Sequence, residues 1–273
     1  MTMLTQHVAL VSESKSVKTA AVRKVAAALQ KQASRDLAPV WDVDALVGGF
    51  AKLEDVPLGH WPIIVMDDVE NAAGYHQDEN GQPFAVVEAG ASWALTASHE
   101  CLEMLVDPFG RRLVAGPSPK AGQGRVQFLV EVCDPCEDER LAYEIDGVAV
   151  SDFYTPNFFD AKRIAGARYS FTGAVTKPRE VLRGGYLSWQ VPKTKHWWQQ
   201  SWFGARSSFT DLGVFDDRKS LREQVDERTL EFRAVLMGRT ARRRTARALA
   251  ASNRSIERTS WADSLREQIA SYA

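Results

Sequence analysis

A chain of 273 residues that is 45% hydrophobic and 25% charged has ordinary globular composition, which excludes a disordered or low-complexity polypeptide. Its formal net charge of −1 excludes a global field that recruits nucleic acid or anionic membrane. No apolar run approaches the roughly 20 residues of a membrane span, so no membrane partner is expected. Cys101, Cys133 and Cys136 are few and odd in number for a secreted disulfide scaffold, and the N-terminus lacks a basic segment followed by a long apolar one. A cytoplasmic location is the expectation.

In chain order, HVALVSES reads as a short buried strand. The following stretch to Leu37 carries Val17, Val22, Val25, Ala28 and Leu29 at helical spacing behind serines. APVWDV (38–43) and HWPIIVMDDV (60–69) are the next two strand candidates, which suggests a βαβ start and a sheet covered on at least one face. A turn-forming Glu-Asn-Gly separates Tyr75-His76 from the strand-like Phe84 to Val87. Ser92 to Val106 then reads as a helix with a broad apolar face, stopped by Pro108. VQFLVEVCDPC (126–136) is a strand running into a Pro turn, and YEIDGVAVSDFYTP (143–156) is a hairpin with an Asp-Gly turn. From about residue 217 the composition changes to helix formers and charge.

The predicted helix holds SHECLEMLVDP (98–108), which opens like the zinc-protease motif H-E-x-x-H but has Glu103 in place of the second histidine. At about 100° per residue, His99 and Glu103 point about 40° apart, one turn apart on one face, so both can reach one ion. Glu100 lies about 100° round, beside the ion, where a general base must stand. A tetrahedral site with one open position needs a third protein ligand. Glu131, Asp134 and Asp107 are candidates. A ligand from a following strand or loop would clamp the helix to the rest of the fold, which favours Glu131 or Asp134. Against this stands the ordinary reading, a solvated helix face that happens to contain His-Glu.

SHECLEMLVDP, EVCDPCE (131–137) and GVAVSDFYTPNFFD (147–160) resemble a group of poorly characterised bacterial and phage proteins with the pattern Ser-His-Glu-x-x-Glu-x-x-x-Asp-Pro. More remotely, they resemble the zincin metallopeptidases. The likeness spans roughly residues 60 to 190 by motif and the first 60 only by element order. It implies a zincin-like mixed sheet with an active-site helix, His99 as a zinc ligand and Glu100 as general base. Glu103 departs from the zincin pattern: with two carboxylate ligands the charge of the ion is already offset, and water at the ion is acidified less. Manganese, calcium or a pseudoenzyme therefore stay open beside zinc.

Cys133-Asp-Pro-Cys136 has the spacing of half a zinc site or a redox pair, but also of two buried cysteines in a turn. Tyr143, Tyr154 and His76 are candidate oxyanion-side donors or partners of the ligands, and Tyr154 is taken as the catalytic candidate among them. Trp189, Trp197, Trp198 and Trp202 can line a substrate groove or pack a core. Arg239 to Arg247 can contact nucleic acid or a protein partner, or form a solvated helix.

These readings combine into a mixed α/β (α+β) protein with a zincin-like metal-binding domain over residues 1–205 and a helical, locally basic arm over 206–273. The expected function is metal-dependent hydrolysis of a peptide or protein substrate. Here His99, Glu103 and Glu131 or Asp134 hold the ion, and Glu100 activates water. The alternative is a non-catalytic structural or assembly protein, phage-related, that interacts through its basic arm.

Overall fold

The computed structural model describes residues 4–69, 72–216 and 219–236, with side chains to residue 229. It is a mixed α and β protein. The first sheet contains β1 (Gln6–Ser12), β2 (Ala45–Gly49), β3 (Trp61–Met66), β4 (Gly74–Glu79) and β5 (Gln82–Glu88), in the order β2-β1-β3-β5-β4. All neighbours are parallel except β4, which runs antiparallel along β5 at the edge. The β4–β5 turn is the expected one: Asn80 and Gly81 both have positive φ, 52° and 83°, as a tight hairpin requires.

Helix α1 (Thr19–Lys31) continues through a π-helical turn, Gln32–Leu37, into α2 (Ala38–Trp41). APVWDV, strand-like by its Val and Trp content, is therefore largely helical. Pro39 directly follows the π-helical turn, in the first turn of α2, and left-handed Asp42 (φ 54°) ends the helix. The second strand comes later, at ALVGG. Helix α3 (Trp93–Val106) packs across β4 and β5 and is buried along most of its length.

The second sheet is antiparallel, with β6 (Leu113–Pro117), β7 (Arg125–Leu129), β10 (Tyr186–Gln190), β11 (His196–Ser201) and β12 (Ser208–Val214) in the order β12-β11-β10-β7-β6. Between β7 and β10 lies a ribbon of β8 (Tyr143–Ile145) and β9 (Val148–Val150), closed by the predicted Asp-Gly turn. Strand β12 falls within the stretch expected to be helical arm, so the sheet runs across the boundary at residue 205. Only Leu212 of this edge strand is buried, which leaves it a thin apolar signal. Helix α4 (Leu221–Leu236) follows.

One apolar core joins the two sheets. Val8, Leu10, Ile63, Val65, Ala85 and Val87 of the first sheet meet α1 and α3, and the cluster continues to Phe128 and Trp189 of the second. Of the four tryptophans named above, Trp189 and Trp197 are core residues, the latter stacked on Phe215 with centroids 5.1 Å apart. Among the described residues no helix is long and apolar enough to cross a membrane. Arg239 to Arg247 lie outside the described residues.

Candidate metal centre

Four elements converge where α3 passes under the edge strand. α3 supplies His99, Glu100 and Glu103, β4 supplies His76, the segment after β7 supplies Glu131 and Asp134, and α4 supplies Arg222 and Asp226. Glu100, Glu103, Glu131 and Asp134 are each at most 4% exposed. Carboxylates withdrawn this far from water need compensation from cations or donors.

The helical spacing works as the sequence suggested. His99 Nε2 lies 3.3 Å from Glu103 Oε2 and also 3.3 Å from Asp134 Oδ1. Both oxygens are buried, and among the described residues neither has a well-aligned hydrogen bond beyond its contact with the His99 ring. Two donors each 2.0 to 2.1 Å from a tetrahedral ion lie roughly 3.3 Å apart, so each of the two pairs has a spacing that ligands of one ion also show. Among the described residues His99 groups with Asp134 and Glu137, and Glu103 with Glu131 and Asp134, closely enough for one ion, so Asp134 belongs to both groups. Glu103 is further held by its other oxygen, which accepts the Cys133 backbone N–H at 3.1 Å. Asp134 is held by backbone packing: a Cβ on Gly185, just ahead of β10, would stand 2.5 Å from the Asp134 carbonyl oxygen, so only glycine lets the two segments close.

Glu100 faces His76. His76 Nε2 is 3.2 Å from the Asp107 carbonyl oxygen, which can only accept, so that nitrogen carries a hydrogen. Nδ1 then lies 3.4 Å from Glu100 Oε2 and 3.7 Å from Glu103 Oε2. Burial opposes an imidazolium here, but the contact with Glu100 outweighs it and raises the His76 pKa. At His99 burial again opposes charge, and the Glu103 and Asp134 carboxylates hold its pKa well above the ordinary value. Burial also works against an ionised Glu103, yet the charges of His99 and Arg222 keep it ionised below the usual carboxylate range.

Arg222 was not foreseen. Its Nη1 lies 2.8 Å from Glu131 Oε2, 3.0 Å from Asp134 Oδ2 and 3.7 Å from Glu103 Oε2, while Nε meets Asp226 at 3.1 Å. The side chain is 4% exposed. Asp134 is thus shared, one oxygen toward His99 and the other toward Arg222. Glu131, a candidate third ligand by sequence, is instead the nearest carboxylate to the guanidinium. In the sequence Arg222 is one cation among many on a charged helix, and no local signal marks it.

The remaining candidates are dispersed. Tyr154 is fully buried, stacked on Phe158 with centroids 4.3 Å apart, and lies behind Glu131 in the core rather than on the wall of the adjoining cavity. Tyr143 is engaged elsewhere, donating to Asp36 at 2.8 Å. Asp107 closes the loop after α3 by accepting the Arg112 N–H at 2.6 Å. The three cysteines are free and buried. A cavity of about 610 Å³ opens on the site, with His99, Glu100, Asp134, Tyr186, Arg222 and Asp226 in its wall.

No family model, curated protein or solved structure matches the chain.

Proposed function

We propose that the protein is a metal-dependent hydrolase with a zincin-like architecture, acting on peptide bonds. His99, Glu103 and Asp134 hold the divalent ion, zinc before manganese or calcium, and Glu100 is the general base. The observation that carries this reading is the pair of buried oxygens of Glu103 and Asp134, each 3.3 Å from His99 Nε2 and without a well-aligned hydrogen bond from any other described residue. Two buried carboxylate oxygens turned toward one ring nitrogen are costly unless a cation, the proton of an imidazolium or a metal ion, stands between them. The mixed sheet with an antiparallel edge strand beside the His-Glu helix supports the same architecture.

An ion bound there supplies Lewis acidity to a water or carbonyl oxygen. Glu100, on the cavity wall one residue from His99, takes the proton of the attacking water, and His76 fixes the orientation of that carboxylate. Asp134 is preferred to Glu131 as third ligand because Glu131 is paired with Arg222 at 2.8 Å.

The second reading, a non-catalytic assembly protein with the same core, is favoured by Arg222, which gives the carboxylates a cation without any bound ion. Metal analysis of protein purified without chelator, with peptide hydrolysis measured for wild type and Glu100→Gln, separates the two. The hydrolase reading expects about one zinc per chain in both proteins and at least about a 100-fold loss of rate in the variant. A metal-loaded but inactive wild type leaves the assembly reading, and a Glu100→Gln variant as active as wild type removes Glu100 from the mechanism.

A further inference from the structure

The carboxylates around the candidate ion site face two cations from the same chain. On one side is His99, and on the other is Arg222, carried by a helix some 120 residues further along. Glu103, Glu131 and Asp134 place oxygen atoms within 4.8 Å of one another, a grouping that can itself hold a metal ion. Arg222 Nη1 lies within 3.7 Å of all three. A guanidinium therefore stands where an ion serving that grouping would stand.

From this geometry we infer that Arg222 is an internal counter-ion that competes with the divalent ion for Asp134 and Glu103, so that ion uptake loosens the first turn of α4. The inference rests on the ion reading of the preceding subsection. Two positive groups that share Asp134 repel each other across a few ångströms, in surroundings where water screens poorly. Glu103 and Asp134 therefore bind the ion most strongly when the guanidinium has moved off. Arg222 lies in the first turn of α4 and lines the cavity, which gives the guanidinium a way out at the loss of its 3.5 Å contact with Tyr186 Oη at the start of β10. Its departure leaves Asp226, on the same helix face, without its 3.1 Å partner, which couples the ion to the docking of the helix as well as to a single side chain.

Two measurements on the full-length protein test the inference, both with zinc as the probe. In the first, zinc affinity is measured by chelator competition for wild type and Arg222→Gln. The variant is expected to bind at least about tenfold tighter, since a cation beside two ligands has been removed. In the second, hydrogen exchange of residues 221–229 is followed in the unmodified protein as zinc is added, and faster exchange at the start of α4 is expected. This arm decides the matter if the variant does not fold.

Equal or weaker zinc binding by Arg222→Gln, or slower exchange of α4 on zinc addition, overturns the competition while leaving the ion site intact. Absence of zinc binding by wild type and variant alike overturns the ion reading, and the competition falls with it.

Discussion

The apolar layer between the first sheet and its helices and the acidic chamber beneath β4 are equally dry, yet they hold together for opposite reasons. Ile63, Val65 and Val87 are at most 1% exposed and gain from leaving water, and a shortened side chain costs only its own volume. Glu103, Glu131 and Asp134 are nearly as buried and lose by it, so each depends on a partner from another element. Burial by itself therefore says little about robustness: the first region degrades gradually under mutation, and the second fails when one partner goes.

The comparison is broken most directly at Arg222. In protein free of metal ions, Arg222→Leu is expected to cost about 3–5 kcal/mol in urea unfolding, because the buried Glu103 carboxylate loses one of the cations that keep it ionised. A loss below about 1 kcal/mol would mean that protons already neutralise the chamber. The pH dependence sharpens this. Burial holds the Glu131 pKa well above the ordinary carboxylate value, against the pull of Arg222. Above about pH 4.3, the unfolded chain has lost a proton there that the folded chain still binds, so this group makes stability fall as pH rises. Removing Arg222 raises the Glu131 pKa further and extends that fall to higher pH, and a flat profile for the variant would contradict it.

In the apolar layer the expected effect is smaller: Ile63→Val removes one methylene and costs about 0.5–1.5 kcal/mol, independent of pH between 5 and 8. Smallest is the response of the thiols. Burial pushes the Cys101 thiol up to about 12, and it holds Cys133 and Cys136 well above their ordinary value too. Native protein is expected to give no reaction with a thiol reagent at pH 8 until unfolded. Rapid labelling of Cys133 and Cys136 would revive a redox role for their C-x-x-C spacing.

The same contrast explains what was legible in the sequence. Strands β1 and β3, the Asn-Gly and Asp-Gly hairpins and helix α3 announce themselves through local periodicity and turn chemistry, and the structure has them close to the expected bounds. The spacing of His99 and Glu103 is likewise a property of one helix. APVWDV misleads because β-branched and aromatic residues fit a strand as well as the short helix into which the π-helical turn delivers them. Arg222 and Tyr186 could not be read, because their places depend on how α4 and the second sheet dock on α3, and no local pattern records that. The choice between Glu131 and Asp134 had the same origin, since both sit in one acidic segment and only the docked arginine tells them apart.

Gly185 has a consequence for the order in which the molecule assembles. The close approach it permits seats the segment carrying Asp134 against the start of β10, so Asp134 takes its place from the antiparallel sheet, whereas His99 and Glu103 take theirs from the parallel one. A folding intermediate with only one sheet formed holds two of the three donors or just one, and neither set binds an ion with native affinity. On the proposed ion site, metal would therefore not nucleate the fold but follow the closing of both halves, and added zinc is expected to slow unfolding while leaving the refolding rate unchanged.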